Sequence, residues 1–220
     1  MKILGIDGAL GSFSAAVLAD DRILAARSQG GSVALESGLG IIQSVLAEAR
    51  IAGADLDRIA IGIGPGSFTG LRIAISYAKS LALAWRVPLV PVSSFAILEQ
   101  GRAAQAMLSV VVGRVGVISA RYRDGANERR ASGRIGDVLD EILPAPGARP
   151  VPTLGAGEDV LAALAERGFT VDRLAPLVMP AAAAAAAAAL LLEPAASAHA
   201  VRADYGELPA ARVPIFQRTL

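Results

Sequence analysis

A break in an apolar run, at Gly64-Pro65-Gly66, constrains the fold most. The preceding segment "DLDRIAIGIG", residues 55–64, has the composition of a strand buried on both faces. A hydroxyl-rich turn and a helical pattern up to about Arg86 follow at once, with Ser67 or Thr69 placed to cap the helix. A buried strand that turns directly into a helix predicts an α/β protein with helices packed on a sheet.

The elements around this turn predict a mixed sheet. "MKILGID" is a short strand that ends in Asp7, and "SAAVLADDRILAARS" reads as two strands around a hairpin turn at Asp20-Asp21. A helix is predicted over residues 35–50. "VPLVPVSS" predicts a strand after the second helix, with Ser94 capping a short helix. The resulting order, β-β-β-α-β-α-β-α, is typical of a mixed sheet flanked by helices.

The second half repeats this pattern in outline. "MLSVVVGRVGVISARYRDG" predicts one or two strands, "NERRASGR" a third and "IGDVLDEIL" a short helix. "VPTLGAGEDVLAALAERG" predicts a strand, a glycine turn and a helix, and an alanine-rich helix follows. This repeated order of strands and helices predicts a duplicated architecture with a boundary near residue 100. We expect an N-terminal lobe over 1–100 and a C-terminal lobe over 101–220, whose last segment packs back on the first lobe.

Composition excludes several functions. A formal net charge of +1 gives no bulk attraction to nucleic acid or membranes. The absence of cysteine and the single His199 exclude disulfides and clustered His/Cys zinc sites, and fit a reducing cytoplasm. Residues 174–192 carry no charge, but nine consecutive alanines after Pro180 favour a helix in water over a membrane span. An aspartate at position 7 comes too early for a secretory signal.

The glycine turn has two interpretations. Gly64 and Gly66 permit positive φ angles, and the backbone N–H groups of residues 67–70 would face an anion at a helix N-terminus. However, no lysine follows in the Walker pattern and the spacing is not that of a dinucleotide-binding loop. A plain turn between strand and helix is therefore favoured over a phosphate cradle.

Asp7 is open to the same two interpretations. An aspartate at the end of a first strand can hold magnesium beside a phosphate, or it can accept hydrogen bonds from the loop at Gly8. A phosphotransfer site would need a second acid and a second phosphate loop. "VVVGRVG" offers no acid, and Glu158 and Asp159 after the second glycine turn would repel a phosphate. We therefore expect no catalytic residue, cofactor or metal.

The first two long helices have wide apolar arcs. At 100° per residue, the first helix has a core stripe and a second stripe beside it; the core stripe is Leu35, Leu39, Ile42, Leu46 and Ala49. The second helix has a core stripe of Leu71, Ala74, Ala78, Ala82 and Trp85. The wider arcs arise either because the helices bury each other or because they form a docking face for a partner. A basic row on the second helix, Arg72, Lys79 and Arg86, is by default a solvated face.

The segment "GPGSFTGLRI" resembles the signature of the bacterial TsaB (YeaZ) family. The residues that carry the match are Gly64, Pro65, Gly66, Ser67, Phe68, Thr69, Gly70 and Arg72. "MKILGIDGALGSFSAAVL" and "VPLVPVSSFAIL" are similar to the family's neighbouring segments, and "PIFQR", residues 214–218, is similar to its closing Pro-x-Tyr-Leu-Arg. The resemblance is strong over residues 1–100 and thin beyond them.

The resemblance implies an actin-like ATPase (RNase H-like) fold with two related lobes, and a role without catalysis. The family is a partner subunit in making N6-threonylcarbamoyladenosine beside the tRNA anticodon. The resemblance implies a TsaD-like catalytic partner that packs on the two long helices, and a TsaE-like ATPase that joins this pair. It also implies that the chain contacts tRNA only through the complex and forms a homodimer when alone. The expected interface residues are those of the secondary stripes: Gly38, Ile41, Val45, Ile73, Tyr77 and Ala84.

Two departures from the family pattern leave alternatives open. "SVALESGLG" lacks the family's histidine early in the first helix, and the second lobe reads "VVVGRVGV" where the family opens with Asp-Ala-Arg. The main alternative is an active small kinase or ATPase of the same fold. A self-associating scaffold is the third hypothesis.

Overall fold

Two five-stranded mixed sheets organise the chain in the computed structural model, which describes residues 1–30, 37–102, 106–176 and 179–206. The first sheet has the order β3-β2-β1-β4-β5. Its strands are β1 (Lys2–Asp7), β2 (Ser12–Ala19), β3 (Arg22–Gly30), β4 (Arg58–Gly64) and β5 (Leu89–Ser93). The second has the order β10-β9-β6-β7-β8. Its strands are β6 (Ala106–Val112), β7 (Val117–Asp124), β8 (Asn127–Arg134), β9 (Val151–Leu154) and β10 (Val171–Arg173).

The second sheet repeats the first strand by strand. In the first sheet β1 pairs with β2 in antiparallel and with β4 in parallel, and in the second β6 pairs with β7 and β9 in the same two ways. The predicted duplication is confirmed. The sequence did not predict β10, because a strand of three residues is too short to show a period.

Six α-helices connect or cover the strands of the described residues. They are α1 (Gly38–Ala49), α2 (Phe68–Trp85), α3 (Ser94–Leu98), α4 (Ile135–Ile142), α5 (Glu158–Glu166) and α6 (Ala181–Ala188). Ser67 caps α2, as predicted, by accepting a hydrogen bond from the Gly70 N–H at 3.3 Å. Ser93 and not Ser94 caps α3, because Ser93 keeps an extended backbone and accepts from the Ala96 N–H. The predicted helix start at Leu35 lies outside the described residues.

Helices cover both faces of the first sheet. Alternate residues of β1 point to opposite sides, so that Leu4 and Ile6 join the core under α1 and α2 while Ile3 joins the core under α6. The second sheet forms its own core with α4 and α5. The first sheet is thus a three-layer unit, which explains why its strands read as continuous apolar runs.

The alanine helix α6 lies unusually close to the first sheet. A β-carbon at Gly5 would overlap the carbonyl oxygen of Ala182, whose own N–H donates to Ser14 Oγ at 3.1 Å. At the other end, the Arg58 guanidinium donates to the carbonyl oxygens of Ala189 and Leu192. Alanine fits here because a larger side chain would hold the helix away from the strands. Among the described residues, no helix is long and apolar enough to cross a bilayer.

Candidate functional site

The glycine turn between β4 and α2 is held on two sides by other parts of the chain. Gly64 has a φ of +103°, a conformation that side chains disfavour. A β-carbon there would overlap the carbonyl oxygen of Asp204, whose N–H donates to the Ile63 carbonyl oxygen at 2.7 Å. On the other side, the Ser67 N–H donates to the Ala9 carbonyl oxygen at 2.9 Å. The turn therefore fixes the C-terminal segment and the loop after β1 to the start of α2.

Oxygens of the chain itself occupy three backbone donors around the N-terminus of α2. The Ser67 N–H binds the Ala9 carbonyl, the Gly70 N–H binds Ser67 Oγ, and the Leu71 N–H binds the Ser67 carbonyl. The backbone of Gly8 lies directly against Gly70, so that a β-carbon on Gly70 would overlap the Gly8 carbonyl oxygen. This arrangement favours the plain structural turn over the phosphate cradle, because the Ser67 and Gly70 N–H groups already bind oxygens of the chain.

Asp7 ends β1 and is fully buried beside this turn. Its Oδ2 accepts hydrogen bonds from the Ala9 N–H at 3.1 Å and the Leu10 N–H at 3.2 Å. Its Oδ1 lies against Gly62, where the missing side chain leaves room for it, and has no hydrogen-bond partner among the described residues. Burial raises the pKa of Asp7 to about 6, although the two backbone hydrogen bonds oppose the rise. The geometry therefore favours the interpretation in which Asp7 accepts hydrogen bonds from the loop after β1 over the one in which it binds magnesium.

The strand of the second lobe that corresponds to β1 does not end in a carboxylate. The repeated strand order places Val112, at the end of β6, where Asp7 ends β1, and Val112 is 53% exposed. Glu158 and Asp159 lie in the first turn of α5, opposite the loop 113–116, and line a cavity of about 530 Å³ with it. Within the described ranges, no three acidic, histidine or cysteine side chains come together as metal ligands would.

On α1 the three residues expected at an interface lie in the core of the single chain. Gly38, Ile41 and Val45 are buried within the single chain, and Val45 has no exposed surface. The reason is the close packing at the start of the helix, where a β-carbon on Gly38 would lie 2.8 Å from Tyr77 Cε2 and 3.0 Å from Phe13 Cζ. These three residues therefore pack against the chain's own core.

The exposed face of α1 differs accordingly from the predicted one. Leu39, assigned to the core from the sequence, is 41% exposed. Gln43 and Ala47 continue this exposed row at four-residue spacing. Because Gly38 has no side chain, the first turn of α1 packs closely against Phe13 and Tyr77. The buried residues of α1 are therefore centred between the two predicted stripes.

On α2 the core stripe predicted from the sequence is confirmed. Four of its members are buried and Trp85 is partly buried. Of the interface residues expected on this helix, Ile73 and Tyr77 are half-buried and Ala84 is exposed. Leu83, which the sequence did not single out, is 53% exposed. A cavity of about 430 Å³ opens on this face, lined by Thr69, Arg72, Ile73, Ser76 and Tyr77.

Phe68 begins α2 as an exposed aromatic ring stacked between two other side chains. Its ring centroid lies 4.9 Å from that of Tyr205, and the guanidinium of Arg72 lies 5.3 Å from its centroid. Phe68 is 54% exposed and Tyr205 is 38% exposed. The sequence could not predict this stack, because Tyr205 reaches the turn only through the path of the C-terminal segment.

A buried ionic cluster joins the two lobes, and sequence reasoning missed it. Glu99, which follows α3, accepts from Ser109 Oγ at 2.6 Å and pairs with the guanidinium groups of Arg121 at 2.6 Å and Arg123 at 3.4 Å. Arg121 also lies over the ring of Phe95, 5.2 Å from its centroid. Because the arginines belong to β7, the cluster fixes the end of the first lobe to the second sheet.

The duplicated strand order and the two helix-flanked mixed sheets define an actin-like ATPase (RNase H-like) fold, as the sequence predicted. The solved structure of YeaZ from Pseudomonas aeruginosa has this fold. It superposes with a TM-score of 0.71 over 93% of this chain and 99% of that chain, at 22% sequence identity. Likeness at this identity concerns the fold alone.

The family model described as tRNA N6-adenosine threonylcarbamoyltransferase, TsaD, matches residues 35–191, and the chain belongs to that family. The tRNA threonylcarbamoyladenosine biosynthesis protein TsaB of Escherichia coli (strain K12) is 33% identical over 132 residues, 58% of this chain and 57% of that protein. TsaB of Bacillus subtilis (strain 168) is 30% identical over 138 residues, 59% of each chain. The predicted resemblance to TsaB is confirmed, and the chain spans less than two thirds of the length of these two relatives.

Proposed function

We propose that the chain acts in the biosynthesis of threonylcarbamoyladenosine in tRNA as a non-catalytic subunit that supports a TsaD-like catalytic subunit. The observation that carries the proposal is at the N-terminus of α2, where oxygens of Ala9 and Ser67 already accept from the Ser67 and Gly70 N–H groups. An actin-like ATPase needs such donors, or an equivalent loop, for the phosphates of its nucleotide.

The burial and hydrogen bonds of Asp7, and the lack of a carboxylate at the end of β6, support the absence of catalysis. A magnesium-assisted phosphoryl transfer needs carboxylates whose oxygens can reach a metal beside the phosphates. Asp7 is fully buried, with one oxygen bound to the loop backbone and the other against Gly62. The corresponding strand of the second lobe, β6, ends at Val112, whose side chain offers no oxygen ligand.

The docking part of the proposal rests on the exposed faces of α1 and α2. From the expected interface it keeps Ile73, Tyr77 and Ala84, and it adds Leu83 and Leu39. Exposed leucines on two helices that pack together are typical of a surface that a partner covers. The proposal also includes a TsaE-like ATPase in the same complex. The chain would contact tRNA only through that complex, and it would form a homodimer in the absence of the catalytic subunit.

Nucleotide turnover tests the absence of catalysis. The purified chain should hydrolyse ATP only at the background rate and should not modify tRNA alone. Turnover that Asp7→Ala abolishes, in a variant whose circular dichroism matches that of the wild type, would favour the active kinase or ATPase instead.

Co-purification tests the docking face. Leu83→Glu and Ala84→Glu should each prevent co-purification with the TsaD-like subunit of the same organism, because each places a charge inside an apolar contact. Both residues are exposed, so the variants should keep the wild-type circular dichroism and melting temperature. Leu191→Glu is the matched control, since Leu191 is 91% exposed but follows α6 on the other side of the sheet. Co-purification retained in both α2 variants would place the interface elsewhere.

A further inference from the structure

A cavity of about 310 Å³ lies between the two lobes. The first lobe contributes Pro65, from the turn after β4, and Phe95, from α3. The second sheet contributes residues of β7 and β8, and the segment that returns to the first lobe contributes Asp204 and Gly206. A cavity at the junction of two lobes, with an aromatic wall and few polar groups, is typical of a site for a small molecule.

The second sheet brings an excess of positive charge to this cavity. Arg130 lines the cavity, and Arg121 lies directly opposite Arg130 on the neighbouring strand. The guanidinium groups of Arg121 and Arg130 lie 5.2 Å and 5.7 Å from the centroid of the Phe95 ring. Within the described ranges, the ionic cluster has one more arginine than carboxylates, since Arg121, Arg123 and Arg130 share Glu99 and Glu128. One positive charge at the cavity is therefore left over for a ligand.

Arg130 can bind a carboxylate of a ligand without losing its partner in the chain. Glu128 pairs with the Arg130 Nε at 2.6 Å. A guanidinium carries its N–H donors in a planar fork, so the Nη groups can form a second, bidentate pair. The contact with the Phe95 ring fixes the guanidinium, which reduces the conformational freedom that is lost on binding. Beside it, the Ser132 hydroxyl lines the cavity and donates to Ser119 Oγ at 2.8 Å.

Asp204 brings a negative charge to the same cavity. Its N–H donates to the Ile63 carbonyl oxygen at 2.7 Å, and its Oδ1 accepts from the Gly206 N–H at 2.9 Å. These bonds fix the carboxylate and leave further acceptor positions on both of its oxygens. In the part of the chain that the structure describes, no ion pair joins Asp204 to Arg130. The cavity is therefore lined by a cation and a carboxylate that do not neutralise each other directly.

We infer that the cavity between the lobes binds a free α-amino acid with an apolar side chain. The carboxylate of the ligand pairs with Arg130, and its ammonium group pairs with Asp204. The side chain of the ligand lies against the apolar walls at Pro65, Phe95 and Ala120. The inference concerns the chain alone and does not depend on the proposed function.

The lining of the cavity argues against other small ligands. The Asp204 carboxylate would repel the oxygens of a phosphate, and a cavity of about 310 Å³ is small for a nucleotide. A simple carboxylate would leave Asp204 without a partner, and a simple amine would leave Arg130 without one. An α-amino acid carries both charges in one small molecule and therefore satisfies both side chains.

Titration of the isotope-labelled full chain with L-valine and L-alanine, followed by NMR, tests the inference. The backbone amide signals of Ser132 and Gly206 should shift and saturate with either amino acid. L-valinamide lacks the carboxylate and N-acetyl-L-valine lacks the ammonium group, so each should bind about tenfold or more weakly than L-valine. Inorganic phosphate is the fourth probe and should bind more weakly than L-valine.

Two variants assign each charge of the ligand to one residue. Arg130→Gln should weaken binding of L-valine about tenfold or more and should bind L-valine and L-valinamide equally, because the partner of the ligand carboxylate is gone. Asp204→Asn should likewise bind L-valine and N-acetyl-L-valine equally. Arg129→Gln and Asp124→Asn are the matched controls, since both residues are exposed on the hairpin of β7 and β8 and neither lines the cavity. Both controls should bind like the wild type.

Each contrary outcome overturns the inference. Wild-type chain that binds neither L-valine nor L-alanine has no such site. N-acetyl-L-valine or phosphate bound as tightly as L-valine would show a site for anions only. Affinity for L-valine that both Arg130→Gln and Asp204→Asn keep would place the amino acid elsewhere. Circular dichroism and melting curves establish that all variants are folded, and the proposed function is unaffected because no TsaD-like subunit is present in these measurements.

Discussion

Gly8 and Gly70 lie backbone against backbone where the loop after β1 meets the first turn of α2. A β-carbon on Gly8 would lie 2.6 Å from the Gly70 carbonyl oxygen, and one on Gly70 would overlap the Gly8 carbonyl oxygen. The two glycines let the loop approach the helix so closely that Ala9 accepts the N–H of Ser67. This contact uses the Ser67 N–H within the chain, and it makes both glycines sensitive to substitution.

Gly70→Ala should destabilise the protein by about 2 kcal/mol or more, because the neighbouring backbone must move to admit a methyl group. The measurement is the free energy of unfolding from urea denaturation. Gly40→Ala is the matched control, since Gly40 is also helical but nothing lies within 4 Å of its added β-carbon. The control should gain about 0.5–1 kcal/mol from helix propensity. Equal effects of the two substitutions would show that the loop and helix are not in contact.

Val45→Glu should unfold the chain, because Val45 has no exposed surface and an unpaired buried charge costs several kcal/mol. Gln43→Glu introduces the same charge two residues earlier on the exposed side of α1 and should leave the fold unchanged. Circular dichroism and the melting temperature measure both effects. A folded Val45→Glu variant that loses its partner would restore the interface expected from the sequence.

Local patterns predicted the strands other than β10, the long helices and the turn, because each of these depends on neighbours in the chain. The break at Gly64, the cap at Ser67 and the core stripe of α2 follow from composition and a helical period. The two-lobe fold followed from the repeated order of strands and helices, together with the family resemblance of the glycine turn.

The orientation of α1 could not be predicted, because it depends on residues from elsewhere in the fold. Phe13 and Tyr77 pack against Gly38 and turn Ile41 and Val45 inward, although the helical period alone allowed either stripe to face the core. The ionic cluster at Glu99 and the stack of Tyr205 on Phe68 could not be predicted for the same reason, since the residues that form them come from distant segments of the chain.

Asp7→Asn should change how stability depends on pH. Between the ordinary pKa of 3.8 and the raised pKa of about 6, the folded protein keeps a proton on Asp7 that the unfolded chain releases. Stability is therefore lost as pH rises through this window, by up to about 3 kcal/mol. The variant lacks this contribution, so its free energy of unfolding should fall less than that of the wild type between pH 4 and pH 7.

Urea denaturation at several pH values across this window measures the difference between Asp7→Asn and the wild type. Asp21→Asn is the control, because Asp21 is exposed in the hairpin turn and its substitution should leave the wild-type profile unchanged. Parallel profiles for Asp7→Asn and the wild type would mean that Asp7 titrates in the folded protein as it does in the unfolded chain.

Glu99→Gln should destabilise the protein by about 3 kcal/mol, because it removes the nearer and more deeply buried of the two carboxylates that pair with Arg121 and leaves only Glu128, at 3.6 Å. The side chains of Glu99 and Arg121 are only 7% and 10% exposed, so water cannot replace the lost interaction. Glu48→Gln is the matched control: Glu48 pairs with Arg27 at a similar distance, 2.8 Å, but both side chains are about half exposed. Solvent screens such a pair, and its loss should change the free energy of unfolding little. Urea denaturation of the two variants compares them directly, and equal losses would mean that the cluster between the lobes is as well hydrated as a surface ion pair.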